Sequence, residues 1–173
     1  LNIKLIIILW GMYMSIKTIE ELQEKITEIY GVESTYELVR QWSIFLQKMD
    51  ISLRLLVTSL SLGSSEHKEV LEAIISQFKG LKVPEKPAQK LDMNFDFENM
   101  SINEIVLSLL YYEKFMEERY IDIYLNTEES FVRENYSGNT LTFYWLFRSL
   151  LLDERNHETM ILDFFKNYKQ AVR

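Results

Sequence analysis

The sequence predicts an all-α protein: a four-helix bundle with one long crossover connection and a short N-terminal helix. Its 173 residues include only 5 glycines and 2 prolines, while Leu, Ile, Glu and Lys, which favour helices, are plentiful. Capping boxes of the form Ser/Thr-x-x-Glu precede apolar runs with helical spacing. A long stretch with little helical pattern separates two helical halves, as expected of a connection that crosses a bundle.

Helix caps and glycines predict the elements of the first half. Capping boxes at Thr18 and Ser34 each open a helix, and Gly31 and Gly63 are the predicted stops of these two helices. A shorter helix follows, so the first long hairpin is predicted over residues 35–79.

The second hairpin is predicted over residues 102–168. A capping box at Ser101 opens a helix that ends near Asn126. A short helical piece is predicted at 128–135, and a break at 137–140 precedes the final helix.

The two hairpins are predicted to form a single helical-bundle domain over residues 15–173. Residues 81–101 are the crossover, and alternating apolar residues there predict an extended segment along a hydrophobic surface. Residues 1–14 form an apolar N-terminal extension, shorter than the ~20 residues that span a bilayer. This extension is either an upstream addition or a segment that anchors or targets the chain.

Composition excludes several classes of function. The chain has no cysteine, so thiolate metal sites, disulfides and thiol nucleophiles are absent. The formal net charge is -7, and no basic stripe is visible, so nucleic acid is not a predicted partner. We expect a cytoplasmic protein without a membrane partner.

The apolar stripes of the last two long helices contain polar exceptions. On the last helix, steps of four and three residues give Phe143, Phe147, Leu150, Glu154, His157, Ile161, Phe164 and Tyr168. The preceding helix gives Ile102, Val106, Leu109, Glu113, Met116, Tyr120 and Ile123. Such stripes face the core of a bundle, so Glu113, Glu154 and His157 are predicted to be buried.

The two buried glutamates are predicted to lie at one level. Glu113 and Glu154 are almost equally far from the connected ends of their helices, ~20 Å along the axis. Two facing carboxylates are costly to bury, and a divalent cation supplies the countercharge and accepts a neutral imidazole as well. Because Glu154 and His157 are three residues apart, both lie on one helix face.

These residues also carry a family resemblance. Glu113 followed seven residues later by Tyr120, and then Glu154-x-x-His157, resembles one half of the ferritin-like, rubrerythrin-type carboxylate bundle. The resemblance implies a ferritin-like fold over residues 35–168. It implies iron or manganese, with zinc as a further possibility, and oxygen or peroxide chemistry if iron binds. It also implies that Glu154 is able to bridge two ions.

The first hairpin does not repeat the ligand pattern. Aligning the helix ends places Asp50 opposite Glu113, either as a fourth ligand or as an ion-pair partner of Arg54. His67 falls in the first turn of its predicted helix, ~15 Å along the axis from Asp50, and is predicted to be a surface residue. We therefore expect a reduced, mononuclear site. Its predicted ligands are Glu113, Glu154, His157 and Asp50.

Two functions follow from these patterns. The first is a ferritin-like metal-binding protein, with no residue assigned a catalytic role. The alternative is a metal-free, degenerate ferritin-like bundle that serves as a structural or protein-interaction module, in which Glu154 and His157 are a hydrogen-bonded pair. Trp145 and Phe165 lie beside the main stripe, and such aromatics predict a homo-oligomer, with a dimer as the simplest case.

Overall fold

A computed structural model describes residues 15–39, 50–85 and 100–171 of the chain. The all-α prediction is confirmed, because the described residues form helices and only isolated β-bridges. The helices are α1 (Ile19–Val39), α2 (Ile51–Gln77), α3 (Ile102–Asn126), α4 (Glu129–Asn135) and α5 (Thr140–Ala171).

The four long helices pack side by side as two pairs. Helix α1 packs chiefly on α2, and α3 chiefly on α5, while α2 with α5 and α1 with α3 join the pairs. Along α3 and α5, Glu113 meets His157, and Glu117 further along α3 meets Arg155 earlier in α5. These two helices are therefore antiparallel.

The described core consists of two apolar clusters with a polar layer between them. One cluster lies toward the ends of α2 and α3; its members include Ile26, Leu71, Ile123 and Phe147. The other lies toward the starts of those helices; its members include Tyr36, Leu60, Leu109 and Ile161. At the boundary, every long helix contributes a polar side chain to the interior, and these side chains form the candidate site.

The glycine stops predicted at Gly31 and Gly63 are wrong. Both glycines lie inside helices; α2 ends at Gln77 with Phe78 as its cap, and Gly80, two residues beyond the cap, has a φ of 93°. Ser34 is accordingly in the middle of α1 and caps nothing. The first hairpin is thus α1 with α2, instead of residues 35–79, and the predicted short N-terminal helix is the first half of α1.

Other local predictions are confirmed. The backbone N–H of Glu21 donates to the Thr18 hydroxyl at 3.2 Å, and Ser101 forms a complete capping box with Glu104. The short helical piece of the second half is α4.

Some predictions concern residues outside the described ranges. These are the apolar extension at 1–14 and the extended segment within 86–99. Of the helices that the structure describes, none has the length and apolar character needed to cross a membrane.

The two serines that sequence alone treated alike should respond differently to substitution. We expect Ser101→Ala to lower the free energy of unfolding by about 1 kcal/mol, because it removes the α3 cap. Ser34→Ala should be neutral or slightly stabilising, because alanine is the better residue inside a helix. Urea unfolding of both variants measures the difference; equal losses would contradict the continuous α1.

Candidate metal centre

Five ionisable side chains meet in the polar layer between the two apolar clusters. Helix α1 contributes Glu33, α2 contributes His67, α3 contributes Glu113, and α5 contributes Glu154 and His157. The first four residues are 2%, 4%, 5% and 3% exposed. Charged groups buried to this degree need partners, and here the partners are one another.

The first group is the one that the sequence predicted. The Nδ1 atom of His157 lies 3.1 Å from Oε2 of Glu113 and 3.8 Å from Oε2 of Glu154. Each residue offers a ligand atom within 4.8 Å of the others. The structure therefore brings Glu113, Glu154 and His157 together at one level.

A second group adjoins the first and shares Glu154. The Nδ1 atom of His67 lies 3.0 Å from Oε1 of Glu33 and 3.0 Å from Oε1 of Glu154. These ligand atoms too lie within 4.8 Å of one another. The hydroxyl of Tyr120 donates to the same Glu33 oxygen at 2.6 Å.

Glu154 therefore turns one oxygen toward each group. Its Oε1 atom faces His67, and its Oε2 atom faces His157. The Nδ1 atom of His67 is hydrogen-bonded to Oε1 of Glu33, whereas Oε1 of Glu154 lies within ion-pair distance of the same nitrogen without forming a hydrogen bond in the described part of the chain. A buried carboxylate oxygen left in this state calls for an explanation, and a cation between it and the imidazole would provide one.

The two imidazole rings lie against each other, and Gly63 makes room for them. The ring centroids of His67 and His157 are 5.4 Å apart, with 29° between the planes. A Cβ atom at Gly63 would lie 2.5 Å from Cε1 of His157. The glycine that resembled a helix stop is thus required by a close approach of α5 to the backbone of α2.

The outer nitrogen of His67 also faces a carboxylate. Its Nε2 atom lies 3.9 Å from Oδ2 of Asp153, a side chain that is 49% exposed. Histidines that bind metals through one nitrogen usually present the other to such an acceptor, which fixes the ring orientation.

Protons supply the countercharge in the metal-free chain. Burial alone would lower the pKa of both histidines, but Glu33 and Glu154 raise the pKa of His67 to about 11. In the same way, Glu113 and Glu154 raise the pKa of His157 to about 10.

The two carboxyl groups beside His157 shift in opposite directions. Burial raises the pKa of Glu113 well above 4.5, and the proximity of Glu154 contributes to the rise. Burial opposes ionisation of Glu154 too, but its contacts with both imidazoles outweigh burial and lower its pKa to about 2. The layer thus places two imidazolium rings against carboxyl groups whose affinities for a proton differ.

The residues present fit a metal ion in each group. Ligand atoms that surround an ion at about 2.1 Å are separated by at most about 4.2 Å, and the nitrogen–oxygen distances of 3.0 to 3.8 Å within the two groups lie below this limit. Carboxylate and imidazole suit iron, manganese and zinc. Metal binding would replace one proton on each imidazole and supply the positive charge that those protons carry in the metal-free chain.

Asp50 is not part of this centre, which corrects its predicted alignment with Glu113. Its carboxylate accepts from the backbone N–H of Ser52 at 2.8 Å and caps the exposed start of α2. The prediction took Gly63 as the end of a helix, whereas α2 continues to Gln77. The height assigned to Asp50 from that helix end was therefore wrong.

His67 was predicted to be a surface residue and Glu33 was overlooked. Because α2 is continuous through Gly63, His67 lies in mid-helix and is 4% exposed. Two signals could have revealed the pair. Glu33 continues the buried stripe of Leu22, Ile26 and Ile29, and His67 follows Ser64 by the same three residues that separate Glu154 from His157.

Comparison of the chain with protein-family models, with curated proteins and with solved structures finds no match. The residues themselves therefore carry the functional argument.

The close approach at Gly63 can be tested with a double-mutant cycle. In an exposed helix, Gly→Ala raises the free energy of unfolding by about 1 kcal/mol. In this chain, Gly63→Ala should give no such increase, because the new methyl group meets the His157 ring. In the His157→Ala background the same change should become stabilising. Urea unfolding of the four proteins measures the coupling; additive effects would contradict the contact.

The metal-free chain should lose stability as the pH rises from 6.5 to 10. The folded state keeps protons on His67 and His157 up to pH about 11 and about 10, whereas an unfolded chain releases them near 6.5. The folded state therefore binds more protons in this interval, and the free energy of unfolding falls with pH. Unfolding of chelator-treated protein at several pH values measures the slope.

The control for this pH effect is the double variant His67→Gln, His157→Gln, which cannot bind these protons. Its slope over the same interval should be clearly smaller. Identical slopes would show that other groups cause the effect.

Proposed function

We propose that this chain is a ferritin-like metal-binding protein whose centre holds two divalent ions. Its ligands would be Glu33 and His67 for one ion and Glu113 and His157 for the other, with Glu154 between the two. This extends the mononuclear site expected from sequence, because the structure adds Glu33 and His67 to the available ligands and removes Asp50, which makes five instead of four.

The observation that carries the proposal is the position of Glu154. It is 3% exposed, and its two oxygens face two different histidines. The oxygen facing His67 has no hydrogen bond among the described residues. A carboxylate that turns one oxygen to each of two ligand groups is arranged to bridge two cations.

The arrangement of helices supports the ferritin-like assignment. In such bundles, two helices each provide a glutamate and the other two each provide a Glu-x-x-His motif. Here α1 and α3 provide Glu33 and Glu113, and α5 provides the complete motif. Helix α2 provides only the histidine of that motif, His67.

The positions of the described helix ends also support a bundle with one long crossover. The carbonyl of Gln77 at the end of α2 accepts from the N–H of Ser137 at 2.8 Å. Ser137 lies near the start of α5, and therefore at the end of the bundle where α3 finishes. The start of α3 is at the opposite end, ~37 Å away by helix rise, which favours a crossover between α2 and α3.

Iron or manganese suits this ligand set, with zinc as the alternative. Bound iron would supply redox chemistry toward oxygen or peroxide. The three carboxylates would hold the ions and balance most of their charge, and the histidines would be neutral nitrogen ligands. Tyr120, through its hydrogen bond to Glu33, and Asp153, beside His67, would hold those two ligands in place.

A second candidate is a metal-free bundle that serves as a structural or interaction module. The hydrogen-bonded pairs Glu33 with His67 and Glu113 with His157 favour it, because they neutralise the layer without a cation. Trp145, 70% exposed, suits the dimer that the sequence predicted, and sedimentation at several concentrations would detect it.

Metal content of the purified chain distinguishes the two candidates. After loading with Fe(II) without oxygen, or with Mn(II), we expect two ions per chain by elemental analysis. Glu154→Ala should lose both ions because both depend on it, while His67→Ala and His157→Ala should each lose chiefly one. Saturating metal should raise the free energy of unfolding by about 3 kcal/mol for each bound ion at 100 times its dissociation constant.

Glu117→Ala is the matched control. It removes a carboxylate from α3 one turn beyond Glu113, where Glu117 pairs at the surface with Arg155, so metal content should not change. A wild-type chain that takes up no metal, with stability unaffected by chelator, would establish the second candidate.

A further inference from the structure

The two hairpins match at every ligand position except one. Glu33 corresponds to Glu113, and His67 corresponds to His157. Three residues before His157 stands Glu154, but three residues before His67 stands Ser64. Ser64 is 6% exposed and faces the interior, as a ligand at this position would.

A small pocket lies beside Ser64. All four long helices contribute to its wall. Its lining includes Ser64, the carboxylate-bearing residues Glu33, Glu113 and Glu154, and the hydroxyl-bearing residues Tyr36 and Tyr112. Neither His67 nor His157 lines it, so the pocket adjoins the carboxylate side of the centre.

The missing glutamate also leaves a charge imbalance. Two divalent ions bring four positive charges, and the ligands Glu33, Glu113 and Glu154 return three negative ones. Asp153 is half exposed, so solvent screens most of its contribution. One positive charge would therefore remain in a layer where uncompensated charge is costly.

A small anion would both fill the pocket beside Ser64 and balance the remaining positive charge. We propose that the pocket beside Ser64 binds a free monocarboxylate anion of the size of formate, which completes the two-metal centre in place of a fourth protein carboxylate. This inference rests on the proposed function.

The size of the anion follows from the side chains. Serine carries Cβ and Oγ where glutamate carries Cβ, Cγ and a carboxyl group, so the atoms missing from the site are those of a formate ion. The pocket has a volume of about 10 Å³ and is also lined by the apolar side chains of Val32 and Met116, so there is little space for an attached chain. Acetate should bind more weakly than formate, and benzoate should not bind.

Cobalt(II) is a suitable probe, because its visible absorption bands respond to a change of ligand. The wild-type chain is loaded with Co(II), the bound metal is counted, and sodium formate is added at constant ionic strength set with sodium perchlorate. We expect two bound ions and a saturable spectral change, with the affinity order formate, acetate, benzoate.

Three variants locate the anion. Ser64→Glu should keep two cobalt ions and weaken the response to formate by at least about tenfold, because the new side chain occupies the pocket and supplies the missing charge. Ser59→Glu adds the same charge at an exposed position of α2 and should respond like the wild type. Ser64→Val, which fills the pocket without adding charge, should also weaken formate binding.

The outcomes separate this inference from the proposed function. A wild-type chain that binds no cobalt would overturn both. Two bound ions without a saturable formate response, or benzoate bound as tightly as formate, would overturn the anion site alone. Unchanged formate affinity in Ser64→Glu would do the same. If Ser64→Glu does not fold, Ser64→Val decides the question, and an unchanged affinity there would be equally decisive.

Discussion

The interior of this protein depends on the ionic contacts of one buried carboxylate. Glu154 is 3.0 Å from the imidazole of His67 and 3.8 Å from that of His157, and each imidazole reaches a further glutamate on another helix. Removing one member of such a set leaves the others charged and unsolvated, which costs more than the loss of a surface ion pair. Every long helix must therefore hold its register relative to Glu154.

The close packing around this layer explains the unusual positions of small residues. Gly63 lies in the middle of α2, where glycine is a poor choice for a helix, because the His157 ring occupies the space that a side chain would need. Ser64, one residue on, leaves the pocket beside the carboxylates. Both positions therefore hold small residues that are less favourable in a helix, because the ionic layer needs the space.

The sequence predicted the second hairpin better than the first, for a physical reason. Stripes on α3 and α5 run without interruption between clear caps, so the level of Glu113, Glu154 and His157 followed from helix rise alone. In the first hairpin, Gly31 and Gly63 resemble helix stops but lie inside helices. At Gly63 the glycine makes room for the His157 ring, and the sequence does not distinguish this role from that of a glycine in a left-handed turn. Because these helix boundaries were predicted wrongly, His67 was expected on the surface and Glu33 was not recognised as a core residue. The same error aligned Asp50 with Glu113.

The division of the core into two apolar clusters has a consequence for how the chain unfolds. Each cluster gathers side chains from all four long helices, but the layer between them is held by charges instead of by packed hydrocarbon. Cooperativity between the two halves must pass through that layer, so ligands within it decide whether the halves behave as a single folding unit or as two that open independently.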